Sequence, residues 1–145
     1  MRKVLCFCDG GSRGNGSANS LAATGVVIKD YDSGKIIYRG GTLLSRGSTN
    51  NDAEWNALIE VIKECIKQDY DPVEIFMDSE LAVKQFNGVY KTKSEKLAGY
   101  KKIAKSLSTA LGTLKVTHVL REHNRDADEC ANRVMDSKQS FKEIL

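Results

Sequence analysis

Val4-Leu5-Cys6-Phe7-Cys8-Asp9-Gly10-Gly11 is a run of five apolar residues that meets an aspartate and then two glycines. A run this short, closed by a turn signal, predicts a buried strand. The glycine-, serine- and asparagine-rich stretch from Asp9 to Ser20 then predicts a turn or loop. A second run, Val73 to Met77, also leads into an aspartate, Asp78. If the two runs pair in parallel near the middle of a sheet, Asp9 and Asp78 close adjacent strands. They then meet at the carboxyl edge, where α/β sheets place ligands.

The remaining elements follow outward from these two strands. Thr24 to Lys29 and Lys35 to Gly40 flank the turn signal Asp32-Ser33-Gly34 and predict a hairpin. Thr49-Asn50-Asn51 predicts a helix start, after which Leu58, Val61, Ile62, Cys65 and Ile66 recur at helical spacing. Ser79 caps a short helix that Asn87-Gly88 stops. Ser94 caps a longer one bearing Leu97, Tyr100, Ala104, Leu107 and Leu111, stopped by Gly112. Leu114 to Leu120 predicts a fifth strand, and Asp126 to about Asp136 a last helix. Phe141, Ile144 and Leu145 are expected to dock on the body or fray. The order β-β-β-α-β-α-α-β-α implies one mixed α/β sheet with helices packed on it.

The 145 residues suit a single domain spanning 1–145. A hydrophobic share of 41%, a charged share of 28% and a lone proline, Pro72, exclude a disordered or fibrous chain. Cys6, Cys8, Cys65 and Cys130 lack zinc or redox spacing and predict buried, reduced thiols. No stretch approaches the ~20 apolar residues of a membrane span. Met1-Arg2-Lys3 followed by five apolar residues resembles a secretory leader but is too short for one. A monomeric, cytoplasmic protein is the expectation.

Two further carboxylates join Asp9 and Asp78. Glu54 stands one turn ahead of Leu58 on the apolar stripe of its helix, so it faces the sheet. Asp128 falls in the first turn of the last helix, beside the inward-facing Ala127 and Ala131. Four converging carboxylates repel each other and desolvate badly unless cations sit among them. Carboxylate-only ligation suits magnesium or manganese rather than zinc.

Four motifs then stand in order. Asp9-Gly10-Gly11-Ser12-Arg13-Gly14-Asn15, Thr49-Asn50-Asn51-Asp52-Ala53-Glu54, Met77-Asp78-Ser79 and Arg121-Glu122-His123-Asn124-Arg125-Asp126-Ala127-Asp128 together resemble the motif set of type 1 ribonuclease H. The resemblance spans essentially the whole chain. It implies a ribonuclease H-like fold, a five-stranded mixed sheet with helices on both faces. It also implies an endonuclease that cuts the RNA strand of an RNA/DNA hybrid, leaving a 3′-hydroxyl and a 5′-phosphate. Two Mg2+ ions, with Mn2+ as a substitute, are the implied cofactor. Asp9 would bridge both ions, Asp78 would hold the ion on the side of the attacking water, and Glu54 and Asp128 the one on the leaving-group side. His123 matches a loop histidine that many members carry, so it joins the catalytic candidates.

Hybrid recognition needs contacts to 2′-hydroxyls across a shallow minor groove. The resemblance assigns these to Asn15, Asn50 and Asn51. Gly10, Gly11 and Ser12 provide backbone that nucleic acid can approach, and Thr49 matches a phosphate contact. The stretch Gly10 to Ser17 lacks the ending of a nucleotide P-loop. Lys84 to Lys105 holds seven lysines against one acid, Glu95, so it carries +6 within a chain of net +3, and the rest of the chain carries −3. Such a segment suits phosphate tracking. Tyr90, Lys91, Lys93 and Lys96 lie where the family touches the DNA strand. A binding module that kept the scaffold without catalysis, and a nuclease for other substrates, are the rivals. The four acids speak against the first, and the three asparagines against the second.

Overall fold

The computed structural model describes residues 2–15 and 17–145; Met1, at the head of the N-terminal run, and Gly16, within the glycine-rich stretch, lie outside the described residues. The elements are β1 (Val4–Arg13), β2 (Leu21–Asp30), β3 (Ile36–Gly41), α1 (Asn50–Gln68), β4 (Val73–Met77) and α2 (Glu80–Phe86). There follow α3 (Glu95–Ser108), β5 (Leu114–His118), a 3-10 turn at Arg121–His123, α4 (Arg125–Ser137) and β6 (Phe141–Ile144). The sheet order is β5-β4-β1-β2-β3-β6. β1 pairs with β4 in parallel and with β2 antiparallel, so both aspartate-bearing runs are central, as expected.

Two expectations are corrected. The sheet has six strands, because Phe141–Ile144 pairs antiparallel with β3. Phe141 packs on the small cluster of Ala23, Val134 and Met135, and the Arg133 guanidinium lies 3.8 Å over its ring. Only four residues with two apolar side chains take part, too weak a pattern to read as a strand. The second correction concerns β1, which runs on through Arg13 where a loop was expected. Asp9 therefore sits inside the strand, opposite Gly25, and does not end it.

The glycines explain why that strand could be misread. A Cβ on Gly10 would come within 2.1 Å of the Ala53 carbonyl carbon on α1, and one on Gly25 within 2.0 Å of the Ala127 oxygen on α4. The two positions face opposite sides of the β1–β2 pair. Each lets one helix backbone lie directly on the sheet, so glycine here marks close approach and not a turn. Helices thus cover both faces.

Under α1, Val4, Cys6, Cys8, Val26, Ile28, Val73, Ile75 and Met77 form the main core with Leu58, Val61 and Ile62. Each fully buried aliphatic side chain contributes about 1.5–3 kcal/mol of transfer free energy. Trp55 joins the same core. α1 begins in a capping box. The Thr49 side chain accepts from the Asp52 N–H, and the Asp52 carboxylate accepts from the Thr49 N–H.

Candidate active site

Four elements deliver the acids. β1 carries Asp9, the second turn of α1 carries Glu54, the residue after β4 is Asp78, and the first turn of α4 carries Asp128. One carboxylate oxygen from each of Asp9, Glu54 and Asp78 lies within 4.8 Å of the others. Asp9 and Glu54 are both 6% exposed, and the Gly10 N–H donates to Glu54 Oε1, fixing that side chain against β1. Asp128 lies at the rim, half-buried, with Arg121 Nη2 3.8 Å from its Oδ1. All four line one cleft of about 410 Å3 together with Gly10, Gly11, Asn50, Asn51 and Ser79.

The electrostatics are those of a site lacking positive charge. Burial, then the charge of Glu54 and its hydrogen bond, then the Asp78 charge, push the Asp9 carboxyl far above the ordinary carboxylate range. Burial also pushes Glu54 up, although hydrogen bonds from Asp9 and the Gly10 N–H oppose it. Among the described residues, no lysine or arginine forms an ion pair with Asp9, Glu54 or Asp78; Arg121 reaches only Asp128. The donor set is all carboxylate oxygen, with no thiolate or imidazole in it. Hard divalent cations of the magnesium type fit such a set.

The other predicted residues fall into three groups. Asn50 and Asn51 line the acidic cleft, and Asn15 joins them because its Oδ1 accepts from the Asn50 N–H at 2.9 Å. Ser12 Oγ donates to the Ser48 carbonyl at 3.2 Å, holding the end of β1 to the approach of α1. Thr49 Oγ1 serves as the helix cap. The missing side chain of Gly10 makes room for α1, a use the sequence reading had assigned to nucleic acid.

Tyr90, Lys91 and Lys93 occupy a second cleft, between α2 and α3, of about 610 Å3, floored by Leu81, Gln85, Val89 and Leu97. Lys91 and Lys93 form no ion pair among the described residues, whereas Lys84 is held by Glu80 at 2.6 Å. His123 lies in the 3-10 turn with its side chain 66% exposed, 3.6 Å from Glu122. It lines a neighbouring cleft with Phe7 and Lys29, not the acidic one.

Asn124 belongs to the last motif and carries no charge of its own. It is 1% exposed, and its Nδ2 donates to the Cys8 carbonyl at 2.9 Å. Its own carbonyl accepts from the Asp128 N–H at 3.1 Å. Asn124 thus ties the start of α4, and with it Asp128, to the strand position just before Asp9. A polar residue at a helix start was the only signal, and it reads equally as a cap.

A family model described as reverse transcriptase-like matches residues 8–134. Ribonuclease HI of Halobacterium salinarum is 36% identical over 134 residues, covering 92% of this chain and 65% of that protein. A bifunctional protein of Mycobacterium tuberculosis is 32% identical over 93% of this chain but 36% of its own length. The chain therefore spans less than two thirds of these relatives. Among solved structures, RNase H1 from the same Halobacterium superposes with a TM-score of 0.87 at 35% identity, covering 93% of this chain and 98% of that one. LC11-RNase H1, solved in complex with an RNA/DNA hybrid, gives 0.85 at 31% identity, covering 93% and 98%.

Proposed function

We propose, since this chain belongs to the ribonuclease H family, that it is a metal-dependent endonuclease cutting the RNA strand of RNA/DNA hybrids. The observation that carries this reading is the convergence of Asp9, Glu54 and Asp78 within 4.8 Å, with Asp128 on the rim of the same cleft. A pure binding module gains nothing from buried carboxylates that repel one another.

Asp9, Glu54, Asp78 and Asp128 would hold two divalent cations, Mg2+ with Mn2+ as a substitute. When bound, a pair of such ions supplies an activated water and neutralises charge at the departing 3′-oxygen, leaving a 3′-hydroxyl and a 5′-phosphate. The chain's own work is positioning. The Gly10 N–H keeps Glu54 turned toward Asp9, and Asn124 keeps Asp128 at the rim. Asn15, Asn50 and Asn51 present short amide side chains beside the acids, suited to reading 2′-hydroxyls. Gly11 and Ser12 lie along the same edge of β1. Tyr90, Lys91 and Lys93 would track the DNA strand at the second cleft. Exposed in its turn, His123 would assist proton transfer or product release.

No helix is long and apolar enough to cross a membrane. Four buried free thiols suit a reducing compartment such as the cytoplasm, and the reading takes the protein as a monomer there.

The test incubates the protein with labelled RNA/DNA, RNA/RNA, DNA/DNA and single-ribonucleotide duplexes in Mg2+, Mn2+ or EDTA. RNA-strand cleavage of the hybrid, lost in EDTA, is expected. Equal cleavage of all duplexes, or cleavage in EDTA, contradicts the proposal.

A further inference from the structure

We propose that Asp52 is a positioning residue that sets the lysine-rich segment in register with the acidic site. The inference rests on the hybrid-cleaving reading above. Asp52 stands between the asparagine pair and Glu54 in Thr49-Asn50-Asn51-Asp52-Ala53-Glu54. It is only 3% exposed. Its Oδ2 accepts from the Thr49 N–H at 2.9 Å and from Lys96 Nζ at 3.0 Å. Its Oδ1 accepts from the Tyr100 hydroxyl at 3.3 Å. One buried carboxylate thus closes the first turn of α1 and receives two side chains from α3.

Those two side chains are four residues apart and share a face of α3. Apart from this tether, α3 is anchored by a thin seam. Ala104 is its one buried residue, and Leu97, Tyr100 and Leu107 are partly buried against the core. A seam of that kind resists separation better than sliding. The charged tether acts at the end of α3 nearest the site and fixes the slide. Asn50, Asn51 and Glu54 lie within one turn of Asp52, while Lys91 and Lys93 immediately precede the Ser94 cap of α3. The carboxylate therefore joins the groups placed to read RNA to those placed to hold DNA.

The Thr49 N–H and the Lys96 ammonium both face one carboxylate oxygen of Asp52. Lys96 is consequently turned toward α1 rather than serving, as its place in the segment suggested, as a phosphate contact.

The experiment measures steady-state hybrid cleavage, salt dependence and cut-site pattern for Asp52→Asn, Lys96→Met, their combination, and Tyr100→Phe. Asn retains an acceptor for the Thr49 N–H, and Tyr100→Phe removes one hydroxyl, so thermal unfolding is expected to show all four folded. Expected for Asp52→Asn and Lys96→Met are a KM raised roughly three- to tenfold, kcat within about twofold, and a broadened cut-site pattern. The double variant should be no worse than either single one, the mark of a shared interaction. Tyr100→Phe should show a smaller KM rise. An unchanged or lowered KM in Asp52→Asn overturns the proposal. So does a salt slope reduced by about 0.9 in Lys96→Met, which would mark Lys96 as a phosphate ligand. So does a fall of kcat and stability together with KM unmoved. A wild-type protein that leaves the hybrid uncut would instead defeat the underlying functional reading, and this proposal with it.

Discussion

The acidic cleft and the lysine segment use charge in opposite ways. The cleft gathers like charges, Asp9 to Asp128 in sequence, buries Asp9 and Glu54, and among the described residues gives them no basic ion-pair partner save Arg121 at Asp128 on the rim. The segment from Lys84 to Lys105 draws its charges from one contiguous stretch and spreads them over exposed surface. Repulsion at short range in a desolvated pocket is strong and salt-insensitive, whereas exposed lysines act at longer range and are screened within about 10 Å at 0.1 M salt. Clustered acids suit cations gathered at one point, and dispersed lysines suit a polyanion followed along a line.

The sharpest way to break this contrast is Asp9→Asn. Cleavage should fall by at least about 10³-fold, some 4 kcal/mol of transition-state stabilisation, while hybrid binding stays within a few-fold. Single-turnover cleavage beside a binding titration separates the two. Substantial metal-dependent activity in this variant would dissolve the four-acid assignment.

The same substitution probes the cleft without substrate. The folded-state pKa of Asp9 lies above its unfolded value, so the native state holds that proton more tightly. The stability it contributes is fully present below about pH 4 and is lost as pH rises toward the folded value. In EDTA the wild type should therefore lose stability between pH 5 and 8. Asp9→Asn should flatten that decline and gain about 1–3 kcal/mol at pH 8, and Mg2+ should restore the wild type. Denaturant melts at three pH values settle it; equal slopes for the two proteins would mean the acids do not repel as placed.

Charge reversal at Lys91 and Lys93 carries the smallest effect and tests the other side. KM should rise about fivefold and the salt slope should fall by about 2, with kcat unchanged. An unmoved KM would remove the segment from the binding surface.

Much of this contrast is legible in the sequence. The lysine run is contiguous, so counting along the chain finds it. Glu54 was placed by helical spacing alone, because Leu58, Val61 and Cys65 define which way α1 faces. The Thr49, Ser79 and Ser94 caps were readable from residue type, and all three accept the expected backbone N–H. Less legible was the stretch from Asp9 to Arg13, since glycine signals both a turn and a close approach, and only the partner helix tells which. β6 escaped for a related reason. Its pairing with β3 is supplied by a distant strand and by Arg133, not by its own four residues.

By itself the sequence determined the two aspartate-bearing strands, the helix faces, the four acidic positions and the family they resemble. These are local properties, set by periodicity, capping chemistry and residue type. Only the tertiary structure decided that Asp9 sits within its strand, that Asn124 ties α4 to β1, and that Asp52 takes Lys96 and Tyr100 from another helix. The contacts of Asn124 and Asp52 join residues 44 to 116 positions apart. A buried polar group must find its partner wherever the fold brings one within reach, and spacing along the chain carries no record of which one that is.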